Sequence, residues 1–280
     1  MKRTNKTGVI LKLECIRMLN TPAFFASVAI GIGISIWHIA DRVWDRYQTL
    51  GTIYHGYMIY PNTVFNSCLS GDALGMQRNI FLLCVPILAT IPYAASAYRE
   101  RMSGYAGQIF SRISRKKYGI AKYLAVFLSG FLAVCVPLVF DFMGTLLFMP
   151  LIHPEITTFT DMVGEAAFFG NLYYAHPMVY TGIIYLIAST FGGLCAVLAL
   201  GAGRFLRSSF AVLVFPFIIN MLWNYMTNLK GIAEWQFMTY MSLLQPVYHM
   251  AAWKAGVLLL GLFAAGILLN TLPFQGKDAL

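Results

Sequence analysis

The run YRERMSGYAGQIFSRISRKKYGIAK, Tyr98 to Lys122, is the most highly charged stretch of a chain that is otherwise close to oily. To its left stands IFLLCVPILATIPYAASAY, Ile80 to Tyr98, and to its right YLAVFLSGFLAVCVPLVF, Tyr123 to Phe140. A hydrocarbon core takes about 20 apolar residues of helix to cross, and each flank meets that length. A dense cationic insert between two such segments is what a loop on one membrane face looks like.

The rest of the chain supports that reading. Of 280 residues, 59% are hydrophobic and 11% charged, with mean hydropathy +0.67. A soluble domain carries about 25% charged residues. The expectation is therefore an all-α, multi-pass membrane protein. The formal charge of +9 does not argue for nucleic acid, because the basic residues punctuate apolar spans and do not coat one soluble face. Cys15, Cys68, Cys84, Cys135 and Cys195 show no C-x-x-C spacing and read as small hydrophobes. Basic residues precede the first apolar run without a small-residue cleavage site, so that run reads as a retained anchor.

Working outward from the insert gives six spans in one transmembrane domain: 22–40, 80–98, 118–147, 177–203, 210–228 and 251–272. Residues 1–20 form an N-terminal arm in which Val9 to Asn20 suits a helix along the membrane surface. Residues 99–117 form the charged loop; 41–79, 150–176 and 230–250 are loops on the opposite side. The arm holds Lys2, Arg3, Lys6, Lys12 and Arg17, the charged loop Arg99, Arg101, Arg112, Arg115, Lys116 and Lys117, and the fourth connection Arg204 and Arg207. The loop at 150–176 has no Lys or Arg at all. The positive-inside rule then places both termini in the cytoplasm. The opposite-side loops at 41–79 and 150–176 are long enough for interfacial helices, and Trp235 and Tyr240 suit headgroup anchoring.

Within the insert, Tyr105, Ile109 and Ile113 lie four apart on one helical face. Ser103 is placed to cap such a helix, and Arg112, Arg115, Lys116 and Lys117 close it, where cations suit the negative helix end. Two readings stand. One is a positive-inside loop touching headgroups; the other is a cytoplasmic docking element. The length of the loop and the phasing of its apolar residues point to the second.

These residues also resemble a family. YRERMSGY followed by IFSRISRKKYGIAKYL is similar to the segment after the second span of bacterial ABC-2 type transporter permeases, through Glu100, Arg101, Ser103, Gly104, Ser114, Arg115 and Lys122. YPNTVFNSCLSGD (Tyr60–Asp72) and SLLQPVYHM (Ser242–Met250) are similar to bacterial members as well. The resemblance implies a six-helix half-transporter in the cell membrane, paired with a second copy or paralogue and with cytoplasmic ATPase subunits. The insert would be the coupling helix, with Glu100, Arg101, Ser103, Gly104, Tyr105, Ile109, Arg112, Ile113 and Arg115 meeting the ATPase. The exported substrate would be hydrophobic or amphipathic: a peptide such as a bacteriocin, a drug or a lipid. No G-x-x-x-x-G-K-[ST] occurs, so ATP and Mg belong on the partner chain and no cofactor is expected on this one.

Inside the spans, Asn220, Asn224 and Asn228 form a polar stripe, about 20 to 31 Å from Arg207 along a helix. The stripe lines either a translocation path or subunit seam, or hydrogen bonds within one subunit. Asp141 is an intramembrane acid and so a functional candidate. It falls about 29 Å beyond Lys122, which places it at the outer interface. Small residues on the first span (Ser27, Gly31, Ser35) and the fourth (Gly182, Ser189, Gly193, Ala196) read as close-packing positions. Pro86, Pro92 and Pro216 are candidate bends. The five histidines are scattered without H-E-x-x-H, and no G-x-S-x-G occurs, so neither a metal site nor catalysis is expected. The alternative to an ATP-driven permease is a membrane protein acting alone: a secondary transporter, a sensor or an immunity protein.

Overall fold

A computed structural model describes residues 6–49, 62–104, 108, 114–154, 163, 167–206, 208–245 and 249–271. Among them the chain is helical and contains no strand. Five helices are long and apolar enough to cross a membrane, and the chain is a membrane protein.

The elements, in chain order, are α1 (Lys6–Leu19), α2 (Pro22–Thr49, with a π turn at Ile39–Val43), α3 (Val64–Ser67), α4 (Met76–Thr90) and α5 (Ser96–Met102). They continue with α6 (Arg115–Leu146), α7 (Gly170–Ala175), α8 (Pro177–Ala202), α9 (Ser209–Leu229), α10 (Phe237–Tyr240) and α11 (Ala252–Thr271). Pro22 and Pro177 open α2 and α8, where a missing N–H costs nothing and the fixed φ suits a helix. The long helices are α2, α6, α8, α9 and α11.

The second segment departs from expectation. It is not one helix over 80–98: α4 stops at Thr90 after 15 residues, a turn follows, and α5 resumes at Ser96. Fifteen residues reach about 22 Å, short of a hydrocarbon core. Pro92 has no N–H for the Leu88 carbonyl, which ends the ladder there. The Thr90 hydroxyl donates to Ile87 O and Leu213 O, each at 2.9 Å, and ties the break to α9.

The core sits around α8, 78% of whose apolar window is buried against 22% for α9 and 17% for α11. α8 packs on α6, α11, α4 and α9, while α2 lies on α6 and α4, and α1 lies on α6. Small residues set the closest approach. A Cβ on Gly130 would stand 2.9 Å from the Gly192 carbonyl and 3.1 Å from that of Ala89; one on Gly193 would meet the Phe127 backbone at 2.9 Å. Ser27 donates to Leu88 O at 2.6 Å and Ser35 to Pro137 O at 3.1 Å. Gly182, by contrast, faces open space, so the expected four-residue stripe on α8 holds at Gly193 but not there.

Among the described residues, the end of the bundle away from α1 carries a buried cap. Residues 63–72 are buried throughout, with α3 a single turn beneath the surface. Val64 N–H donates to Pro150 O at 3.2 Å, Leu243 N–H to Ser70 O at 3.0 Å, and the Ser70 hydroxyl to Met241 O at 2.7 Å. Phe65, Phe142, Tyr173 and Tyr180 fill the space below with edge-on ring contacts between Tyr173 and both Phe65 and Tyr180. Tyr240 belongs to this interior, 2% exposed with its ring against Phe168, and is not a headgroup anchor. Trp235 is half-buried and packs against Trp253 with Lys254 nearby.

Candidate functional site

Two buried ionic clusters lie at opposite ends of the bundle. The first gathers the roots of the charged loop. On α1, Ile10, Glu14 and Met18 are four apart and buried on one face. That face rests on the start of α6, so Glu14, 3% exposed, meets Lys122, also 3% exposed. Lys122 Nζ donates to Glu14 Oε2 at 2.9 Å, to Glu100 Oε1 at 2.7 Å and to the Tyr93 hydroxyl at 3.2 Å. Tyr93 OH donates to Glu14 at 2.9 Å, and Tyr118 OH to Glu100 at 2.6 Å. Arg17 pairs with Glu14 at 2.9 Å and with Glu100 at 3.2 Å. Lys122 also sits 4.3 Å over the Tyr93 ring.

Two cations thus balance two carboxylates, and four segments (α1, the 91–95 turn, α5 and α6) are held at one point. Burial alone would raise the Glu14 carboxyl, but the charge and hydrogen bond of Lys122, with help from Tyr93 and Arg17, hold it below its ordinary value. An open polar cleft beside the cluster is lined by Arg17, Arg99, Glu100, Ser103 and Gln108.

The expected loop residues fall as follows. Glu100 is 8% exposed and points inward to Lys122, so its carboxylate is not displayed at the surface. Ser103 closes α5: its N–H donates to Arg99 O at 3.0 Å and its hydroxyl to Glu100 O at 3.2 Å; the helix it was expected to cap falls mostly on residues outside those described. Gly104, at φ +72°, takes the left-handed conformation that commonly terminates a helix. Tyr105, Ile109, Arg112 and Ile113 lie outside the described residues, as do the side chains of Arg101 and Arg115.

The second cluster lies under the cap. His38, Asp72 and Asp141 are each fully buried. His38 Nδ1 is 2.8 Å from Asp141 Oδ1, and Leu69 N–H donates to Asp141 Oδ2 at 2.6 Å. Arg42 Nε donates to Asp72 Oδ2 at 2.9 Å, and Arg46 Nη2 to Asp72 Oδ1 at 2.6 Å. The π turn begins one residue after His38, and both His38 and Val43, five apart, are fully buried, which one i to i+5 turn permits. Burial opposes the Asp72 charge, but His38, Arg42 and Arg46 outweigh it and hold the carboxyl well below its usual range. Asp141 does lie at the far end of α6, as its distance from Lys122 implies. It is sealed beneath the Leu69 turn, however, and not at a wetted interface.

The asparagine stripe of α9 is graded. Asn220 is 5% exposed and Asn224 half-buried, and the Oδ1 of each is buried with no hydrogen-bond partner among the described residues. Asn228 is exposed and accepts from Gln236 Nε2 at 2.9 Å. The upper part of the stripe therefore lacks the within-subunit hydrogen bonds that one reading called for. The roles of Glu14, Arg17, Tyr93, His38, Arg42, Arg46 and Asp72 went unread in the sequence; a lone Glu14 on a surface helix was the one local signal.

No group of His, Cys, Asp and Glu suited to a metal occurs among the described residues. No protein-family model, curated protein or solved structure matches the chain.

Proposed function

We propose that this chain is the membrane-spanning subunit of an ATP-driven exporter of the ABC-2 type, in the cell membrane, with the charged loop and α1 in the cytosol. In this reading α4, the 91–95 turn and α5 together form a broken sixth crossing, which puts both termini on one side. A second copy or paralogue completes the pathway, and the substrate is hydrophobic or amphipathic.

One observation carries the proposal. Both roots of the charged loop are clamped to each other and to α1 through Glu100, Lys122 and Glu14. A buried, balanced ion cluster is costly to pull apart, because removing one partner strands a charge. Work delivered to the loop would therefore move α5, α6 and α1 together. The open cleft at Arg17, Arg99 and Ser103 lies beside that clamp, where a docked partner would bear on it. The amide oxygens of Asn220 and Asn224, without a partner among the described residues, fit a pathway or a seam between subunits.

The test is co-purification of the tagged full chain with the P-loop ATPase encoded beside it. Changing Tyr105 and Ile109 to Asp should release the ATPase while membrane insertion is kept. An ATPase that stays bound, or none that binds the unaltered chain, sinks the proposal. The buried His38–Asp141 pair favours one other reading, a carrier acting without ATP. Full transport by this chain alone in ATP-free vesicles would establish it.

A further inference from the structure

We propose that His38 and Asp141 form a proton-loaded latch: while the pair holds its proton, the turn at residues 68–75 stays docked on α2 and α6, and loss of that proton lets the turn lift. The ligand of this site is a proton drawn from the solvent on the cap side.

The geometry leads there step by step. Asp141 is fully buried, and among the described residues His38 is the one ionisable group that hydrogen-bonds to it. Its second oxygen is occupied by the Leu69 N–H, a neutral donor from the turn itself. The other cations are committed elsewhere: Arg42 and Arg46 to Asp72, and Arg78 to the Ser242 hydroxyl. The groups around the pair are Asp72, with Arg42 and Arg46 on it, Cys68 on the turn, Arg78 on α4 and Tyr185 on α8; Asp41 and Asp45, farther along α2, are exposed. None of these gives Asp141 a second cation by hydrogen bond.

A buried carboxylate is not kept ionised without a partner charge. The pair therefore retains one proton, as imidazolium and carboxylate or as imidazole and carboxylic acid. His38 Nε2 completes the picture. It is buried, has no hydrogen-bond partner among the described residues, and faces Asp72 Oδ2 at 3.8 Å. A proton on Nε2 would be drawn toward Asp72 as well, so the charged ring joins both carboxylates. When the pair gives its proton to water, it gains one negative charge, and the surplus positive charge of Arg42 and Arg46 stays on Asp72, on the other side of the His38 ring. Hydration relieves that charge, and the cover on the cap side is the turn that donates Leu69 N–H. The same turn anchors residues 241–243 through Ser70, so the cap loosens with it.

The latch goes beyond the proposed export function, and rests on that reading only for which compartment the cap faces. Its test needs neither an ATPase nor an orientation. Cys68 is a built-in reporter: it is fully buried on the turn, and burial pushes its thiol to about 12, so the docked state labels slowly. The full chain, with Cys15, Cys84, Cys135 and Cys195 changed to Ala, is placed in lipid nanodiscs, where both faces meet the buffer. Maleimide labelling of Cys68 is followed from pH 5.5 to about 8, below the unfolded thiol pKa of about 8.5, and divided by the rate for the denatured chain at each pH, so that the thiol's own titration cancels. The expected result is a one-proton transition in which the normalised rate rises at least tenfold with pH. The double variant His38→Gln, Asp141→Asn keeps a hydrogen-bonded but neutral pair, and should stay protected with no transition. A wild-type chain protected at every pH, or a double variant with the wild-type transition, overturns the proposal. Where the double variant does not fold, the ring ¹⁵N resonances of His38 in the wild-type chain decide. They should titrate with the labelling midpoint; resonances constant through that transition overturn the latch.

Discussion

Lys122, itself buried, stands between two carboxylates, Glu14 and Glu100. Lys122→Met leaves two buried acids with Arg17, itself partly exposed, as the one cation between them among the described residues. Breaking a buried pair in this way costs about 3–5 kcal/mol. The expected outcome is a large drop in melting temperature in detergent, with the triple change Lys122→Met, Glu14→Gln, Glu100→Gln recovering much of it. A triple variant no more stable than the single one would show that the charges are not what the site is built on. Acid should act on the same point. Glu14 is held below its ordinary value in the folded chain, so its contribution is complete above the unfolded carboxylate pKa of about 4.3 and is lost as pH falls through the lower folded value. Asp72 follows the same sign at the cap end. Stability should therefore fall on acidification below about pH 4, and a Glu14→Gln variant should show a shallower fall in a pH series of thermal melts.

Among the elements, α6 and α8 approach through Gly130, Gly192 and Gly193 rather than through interlocked large side chains. The Ala196 Cβ and two backbone carbonyls, none of them a flexible side-chain end, stand where a Cβ on Gly130 would go. Gly130→Ala should therefore destabilise by about 1–3 kcal/mol, the ordinary cost of overpacking, whereas Gly182→Ala, which faces open space, should be neutral. Equal melting temperatures for the two variants would remove Gly130 from the contact. The stripe motif in the sequence named Gly193 correctly and Gly182 incorrectly, because spacing marks a helix face but not where another helix crosses it. The second segment teaches the same point. Pro92 was visible as a bend, yet its effect depended on Thr90 bonding to α9.

For the whole molecule, orientation decides which end meets which solvent. If the charged loop is cytosolic, a Cys placed at Ser103 should label from the inner side of sealed cells only, and one at Lys230 from the outer side only. Ser103 and Lys230 are both exposed, so either result is readable. The reverse pattern would remove the ATPase coupling, and with it the export reading, while leaving the proton latch to be judged on its own experiment.

Composition alone determined that the chain is helical and lives in a membrane, and it drew the edges of the third, fourth, fifth and sixth apolar segments close to α6, α8, α9 and α11; it marked the start of α2 but not its end, since that helix runs past Ala40 to Thr49 through the π turn. Hydropathy is a sum over neighbouring residues, so about 20 of them in a row carry the answer without help from the fold. The charged loop was equally plain, but what its root residues touch was not. Glu14 and Lys122 lie 108 residues apart and His38 and Asp141 lie 103 apart, so no local pattern joins them. Only the packing of α1 on α6, and of α2 and the 68–75 turn over the far end of α6, turned scattered charges into two closed clusters. A buried ion takes its partner from whichever element covers it, and that choice belongs to the tertiary structure.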